Sequence, residues 1–291
     1  MTSAAPGNPE AAEATGRAPR PPTARPGTSQ GASRVRLSRT VLVVPAVLGF
    51  LLVVLPLVGL LAGTEWSGLL TRLSDPDVRP ALRLSLVTTL ATVAICWVLG
   101  TPLAWLLSRA EGRSATWLRA VLTVPVVLPP VVGGVALLLA YGRRGLVGEP
   151  LLEIFGLRIP FTPVAVVLAQ VFVSLPFYVL AVEGAMRGLD RRLLDVSATL
   201  GARPLRVLTR VALPLAAPGI ASGTALAWAR ALGEFGATIT FAGNFAGETQ
   251  TTSLLVYVKL QDDPQTAVAL SLLLLVVAVV VLGLLRGRWV R

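Results

Sequence analysis

The stretch DVSATLGARPLRVLTRVALP, residues 195–214, interrupts a sequence otherwise built of long apolar runs. It reads as two short helices meeting at a glycine. Leu189, Leu193, Val196 and Leu200 recur at helical spacing, giving the first helix one face that can pack and one that meets water. Gly201 stands where a helix-ending residue takes a positive φ. Pro204 then opens a second helix, because its missing N–H is not needed in a first turn. Arg203, Arg206 and Arg210 make that second half basic. In a soluble protein this outline would suit a DNA-reading helix-turn-helix. Tethered on both sides to apolar spans, it has no route into a major groove, and nucleic acid is set aside as a partner. A solvated connector and a docking element for a soluble protein are the readings left.

The flanking sequence sets the class. Of 291 residues, 54% are hydrophobic and 14% charged, with a mean hydropathy of +0.74, whereas soluble domains carry about 25% charged residues. A helix needs about 20 mostly apolar residues to cross a bilayer, because its backbone must satisfy its own hydrogen bonds there. Six stretches qualify, at about 41–62, 84–107, 119–141, 162–182, 213–240 and 266–286. The expected fold is all-α and polytopic, with six transmembrane helices in a permease-like domain over residues 40–291. The fifth span is long, and its outer end is expected to turn near Gly236 or Gly243. Residues 1–39 are rich in Pro, Ala, Gly, Ser and Arg and cannot bury enough apolar surface to order themselves, so a disordered extension is expected.

Several chemistries are excluded. The chain has no histidine and one cysteine, Cys96. That removes the usual zinc ligand set, His-based dyads and any disulfide within the chain. The only lysine, Lys259, lies in no phosphate-binding G-x-x-x-x-G-K-[ST] loop. Any ATP chemistry therefore belongs to another subunit, and no cofactor or metal is expected here. Positive charge orients the spans. With the N-terminus inside, eighteen of the 26 basic residues fall in the N-terminal tail, around residues 109–119, in the 183–212 loop and at the C-terminus. Seven fall in outer segments, and Arg230 lies inside span five. Both termini are expected in the cytoplasm, which places residues 183–212 there too.

The opening stretch resembles the coupling motif of ABC importer permeases, E-A-A, three residues, Gly, nine residues, I-x-L-P. Asp195, Val196 and Ser197 stand at the E-A-A positions, Gly201 follows after three residues, and Val211, Leu213 and Pro214 follow after nine more. Aspartate is a shorter carboxylate than the family's glutamate, and Val and Ser replace two alanines. The resemblance implies a type I permease fold and a coupling helix, over about 190–211, that seats on a separate ATP-hydrolysing subunit holding ATP and Mg. It also implies a substrate-binding protein outside, against loops near 63–80, 142–161 and 244–264, and a bacterial cytoplasmic-membrane location. A second permease copy is expected, because six spans are too few to enclose a sealed path.

Two further stretches are narrower in their likeness. VPVVLPPVVGGVALLLAYGRRGLVG (124–148) and ARALGEFGATITFAGNFAGETQT (229–251) resemble the molybdate-transport permeases, with sulfate permeases as relatives. That resemblance implies import of a tetrahedral oxyanion, molybdate first and sulfate or thiosulfate second, by a homodimer. Arg230 and Glu234 are four residues apart and share a helix face. They read equally as a structural ion pair or as an outer gate attracting an oxyanion. Counted from Leu213 at about 1.5 Å per residue, Arg230 lies roughly 25 Å into the membrane. Thr238, Thr240 and Asn244 are candidate anion donors that can equally satisfy backbone. Pro129 and Pro130, with Pro125, Gly133 and Gly134, are expected to kink span three, either simply to fit the bundle or to shape the path. A membrane scaffold that transports nothing is the alternative of a different class. An intramembrane enzyme has only Glu234 as an obvious carboxylate to work with.

Overall fold

A computed structural model describes residues 39–287. The disordered extension expected over 1–39 lies outside them save for Arg39, as do Arg288 and Arg291. The described chain is helical without a strand. Helix α1 (Arg39–Ala62) is apolar on all sides. The contact units divide at Leu52/Val53, within α1, and the part before Val53 is described only as this helix. A 3-10 turn (Trp66–Gly68) leads into α2 (Leu69–Leu73). Then α3 (Val78–Ile95), a π-helical turn (Cys96–Gly100) and α4 (Thr101–Arg109) form one long span. Next come α5 (Arg113–Val127), α6 (Pro130–Tyr141), α7 (Gly148–Phe155) and α8 (Pro163–Arg187). The opening stretch forms α9 (Arg191–Thr199), α10 (Pro204–Val207), a second π-helical turn (Leu208–Ala212) and α11 (Leu213–Leu215). The chain then continues through α12 (Ala217–Leu232), α13 (Gly236–Phe241), α14 (Thr252–Asp262) and α15 (Pro264–Gly287).

Four helices are long and apolar enough to cross a bilayer, at Leu42–Ala62, Val78–Arg109, Pro163–Arg187 and Pro264–Val281. Two bent pairs bring the number to six if each pair is one span. The bend expected in span three is present but far sharper than a kink: α5 and α6 meet at 114°. The residue before a proline is driven out of the α region, and Leu128 and Pro129 both precede one. They take ψ of 135° and 133°, which ends α5 outright. Span five is broken at its near end as well, where the segment Pro204–Leu215 meets α12 at 77°. Pro218 has no N–H to donate to the Pro214 carbonyl, which cuts the ladder there. The turn expected near Gly236 is present, as the break between α12 and α13.

Helix α8 is the axle of the bundle, packing against α3, α4, α5, α12 and α13. Its closest partner is α12, along a ridge of small residues at i+4 spacing: Gly219, Gly223, Ala227 and Ala231. A Cβ built at Gly219 would lie 2.1 Å from the Cβ of Ala185, and one at Gly223 would lie 3.2 Å from that of Ala181. In lipid, helices adhere by such close backbone approach rather than by the hydrophobic effect. Polar adhesion acts beside it. Ser85, Thr88, Thr89 and Thr92 line one buried face of α3, and Gln170 of α8 takes both ends of its amide to that face. It donates to Thr88 Oγ1 at 3.2 Å and accepts from Thr92 Oγ1 at 3.0 Å. Ser85 accepts from the Thr252 backbone N–H at 2.8 Å, binding α14 to the same helix. Cys96 packs in the inner core with Leu107, Tyr178, Val182 and Ala212.

Candidate functional site

The first candidate region is the segment after α8. Helix α9 ends as its sequence requires: Gly201 takes φ +81°, and the Ala202 N–H reaches back to the Ser197 carbonyl at 3.1 Å. That six-to-one bond is the Schellman arrangement. Pro204 stands at the first position of α10. The apolar face, however, finds no cover within the described chain. Leu189 packs against the inner core, whereas Val196 is 56% and Leu200 82% exposed, with Leu193 and Leu205 similarly bare. Leu193, Val196 and Ser197 of α9 and Leu200 just beyond it line a shallow groove of about 400 Å³ with Arg210, Val211, Pro214 and Leu215.

The two ends of the motif, fourteen to eighteen residues apart in sequence, thus meet on one surface. Leu213 instead turns into the core. Asp195 lines a second cleft of about 520 Å³, shared with Trp105, Arg109, Glu111 and Arg187. Around Gly201 there is open space, so a substitution there is opposed by backbone conformation alone. A β-branched residue at positive φ costs about 1–2 kcal/mol. Gly201→Ile should therefore weaken retention of a partner bound at this groove several-fold, while Gly201→Asn, which tolerates positive φ, should spare it. Affinity capture of the partner by each variant checks this, and equal retention by Gly201→Ile would show that the turn is irrelevant to docking.

The second region is the outer end of α12. Because α12 starts only at Ala217, Arg230 lies about 20 Å along it, not the 25 Å counted from Leu213. Arg230 Nη1 pairs with Glu234 Oε2. The other carboxylate oxygen of Glu234 accepts from the Ala237 N–H at 2.8 Å, closing the first turn of α13. Glu234 is 1% exposed, and the Arg230 side chain retains 28%. Glu234 therefore belongs to the packing of the α12–α13 break, and one side of Arg230 stays accessible.

The remaining candidates disperse. Thr240 donates to the Gly236 carbonyl at 2.9 Å. Thr238 Oγ1 and Asn244 Oδ1 are buried with no hydrogen-bond partner among the described residues. Pro130 lies against Gly236, where an added Cβ would come 2.7 Å from the Pro130 Cβ. Gly134 lies against Thr240 and Ala237 at similarly close range. The two narrow sequence stretches thus pack on one another, α6 against α13, while Pro129 forms the corner before α6.

Sequence reasoning passed over two features. Glu183, which falls in the loop expected over 183–212, is instead 4% exposed on α8 and paired with Arg119 and Arg187; its i,i+4 spacing from Arg187 is the signal in the sequence. On the far side of the bundle, Lys259 of α14 pairs with Asp75 at 2.9 Å and Asp77 at 3.3 Å, ahead of α3. Arg72 joins Glu65 to Asp263. The bond from Lys259 holds the Asp75 carboxyl below its ordinary range, and Asp75 in turn raises the lysine. These pairs are partly exposed, so each contributes little alone, but together they link the α2–α3 and α14–α15 corners.

The architecture is that of an ABC importer permease. A solved bacterial alginate ABC transporter, in complex with an alginate pentasaccharide-bound periplasmic protein, contains a chain that superimposes with a TM-score of 0.67. That match covers 84% of this chain and 91% of the other at 16% identity, a likeness of fold. Residues 100–291 match the family of binding-protein-dependent transport system inner membrane components. The chain belongs to that family, within its molybdate-transport permease branch, whose members are non-enzymatic membrane subunits served by a separate ATPase. The molybdenum transport system permease protein ModB of Mycobacterium tuberculosis is 50% identical over 82% of this chain and 90% of its own length. The sulfate transport system permease protein CysT of Escherichia coli is 32% identical over 80% of this chain and 85% of its own length.

Proposed function

We propose that this chain is the membrane subunit of an ATP-driven importer of molybdate, working as a homodimer in the bacterial cytoplasmic membrane. Each bent pair, α5–α6 and α10–α12, counts as one span, giving six, with both termini and residues 183–212 in the cytoplasm. Residues 1–39 form an extension outside the permease domain of 40–291. Substrate arrives from a binding protein seated on the opposite face, near 63–80, 142–161 and 244–264. An ATPase subunit, carrying ATP and Mg, seats on α9.

The observation that carries the cargo is the 50% identity to a molybdenum permease along nine-tenths of that protein's length, against 32% for a sulfate permease. The docking role rests on the bare apolar face of α9 and its groove with Val211 and Pro214. Charge at the same end favours a cytoplasmic placement.

Uptake of labelled molybdate into cells with and without the gene, under sulfate competition, tests the cargo. Gene-dependent uptake that resists excess sulfate is expected. Uptake abolished by modest sulfate would move the chain to the sulfate branch, and no gene-dependent uptake would remove molybdate as cargo.

In this reading Arg230 lines the outer part of the path, with Thr238 and Asn244 as further candidate donors. Testing that with Arg230→Gln alone confounds two effects. Removing one member of a buried ion pair costs about 3–5 kcal/mol, because Glu234 is left charged and unpaired. The double variant Arg230→Gln/Glu234→Gln keeps a hydrogen-bonded neutral pair and should recover thermal stability. Uptake that stays low in the stable double variant supports the pathway role. Uptake that returns with stability assigns Arg230 to structure alone.

A further inference from the structure

At the end of the bundle next to α9, buried Glu183 is the centre of a charge cluster with Arg119, 24% exposed, and Arg187, 49% exposed. Its Oε1 accepts from Arg119 Nε at 2.7 Å and lies 3.1 Å from Arg187 Nε. The Arg119 guanidinium does more than pair. Its Nη2 donates to the Leu107 carbonyl at 2.6 Å and to the Ala110 carbonyl at 3.1 Å. Those carbonyls belong to the end of α4, where the last turn of a helix has no backbone donors of its own. One carboxylate on α8 and one guanidinium on α5 therefore close the exposed end of α4. The neighbouring helices α4 and α5 are thereby joined at one point to α8, where Glu183 stands 64 residues from Arg119.

The position of that point matters more than its strength. Arg187 is the last residue of α8, and the chain runs from it directly through residues 188–190 into α9. The cleft holding Asp195 of α9 is walled by Arg187 and Met186 on one side and by Trp105 and Arg109 of α4 on the other, Arg109 lying 3.7 Å over the Trp105 ring. Displacement of α9 is passed to α8 through residues 188–190, next to the Glu183 cluster, and to α10 and the second π-helical turn, which α9 also touches. A charge shared by three elements, with fixed donor directions, does not slide.

We propose that Glu183, with Arg119 and Arg187, is the clamp that makes α4, α5 and α8 move as one body when α9 is displaced. Glu183 and Arg119 are positioning residues, and they act through the helices they join. This rests on the reading that an ATPase pushes α9, and the experiment separates the two. Single cysteines at exposed Leu106 of α4 and Val121 of α5, in a Cys96→Ala background, are labelled with a maleimide in the permease–ATPase complex. Labelling rates are compared with and without ATP, Mg and vanadate.

In the otherwise native chain, ATP should change both rates together. With Glu183→Gln, which keeps one acceptor but loses the charge, the ATPase should still be retained. The ATP-induced change at both positions should shrink by about fivefold or more, the scale of an ordinary inter-site coupling. Arg119→Lys, whose single ammonium cannot occupy the separate positions from which Nε meets Glu183 and Nη2 meets the two carbonyls, should do the same, and it decides the matter if Glu183→Gln fails to accumulate. A merely structural cluster would lower melting temperature and leave the ATP-induced change intact, and that result overturns the clamp. So does a native complex in which ATP alters neither position. Failure of the native permease to retain the ATPase would instead overturn the docking reading.

Discussion

Val196→Asp is expected to abolish retention of the ATPase by the permease and to reduce uptake about 30-fold or more, while the membrane bundle melts unchanged. The side chain is more than half exposed and makes no contribution to a core of its own chain, so the folded state has little to lose. The bound state has much to lose. Leu193, Val196 and Leu200 form an uncovered apolar stripe leading into a groove closed by Val211, Pro214 and Leu215. A stripe of that kind gains free energy only when a partner removes it from water, at about 25 cal/mol per Å². A carboxylate at its centre must then be desolvated without a partner. Central interface residues cost 2 kcal/mol or more when removed, which is about 30-fold in affinity. Val196→Leu keeps the apolar surface and should bind nearly as well as the native chain. Capture of the ATPase on immobilised permease gives the readout. Unaltered capture by Val196→Asp would place the ATPase elsewhere.

The local rules of the α9 region were legible from sequence because each depends on a few neighbours. Gly201 as a positive-φ stop and Pro204 as a first-turn residue are decided by backbone sterics within about five residues. The apolar periodicity of α9 was equally visible, but its meaning was not. The same spacing describes a face packed on its own bundle and a face reserved for another protein, and only the exposure of Val196 and Leu200 separates them.

Long-range geometry was less accessible. Hydropathy makes 119–141 one continuous run, since Leu128, Pro129 and Pro130 are apolar whatever their ψ. That two adjacent pre-proline residues turn the chain by 114° is a backbone fact to which a hydropathy window is blind. Likewise, Glu183 opens a polar run in the sequence; Arg187 four residues on is visible there, but its second partner, Arg119, is 64 residues away and outside any local window. The pairing of Arg230 with Glu234, four residues apart, needed no such knowledge, and it was anticipated.

Gly219→Ala should be among the most damaging single-methyl additions in the bundle, and its mechanism can be isolated. The added Cβ would sit 2.1 Å from the Cβ of Ala185, well inside contact distance. Neither atom can move without its backbone, because both are the first atom of the side chain. Helices α8 and α12 must therefore separate along the ridge that also holds Gly223, Ala227 and Ala231. Overpacking of this kind costs about 1–3 kcal/mol, and in lipid no hydrophobic gain offsets the lost dispersion contacts. A lower melting temperature in detergent and a lower yield of folded protein are expected. Gly184→Ala, one residue from Ala185 on the same helix, provides the contrast: its Cβ would meet nothing within 4 Å. Replacing a helix-interior glycine by alanine there should stabilise by about 0.5–1 kcal/mol. The decisive variant is Gly219→Ala combined with Ala185→Gly, which moves the methyl from α8 to α12 without changing how many the interface holds. If close backbone approach is what joins these helices, the double variant should regain most of the stability that Gly219→Ala loses. If the loss persists, α12 requires glycine at 219 for its own conformation beside the Pro218 break, and the adhesion of α8 to α12 must be sought in the rest of the ridge.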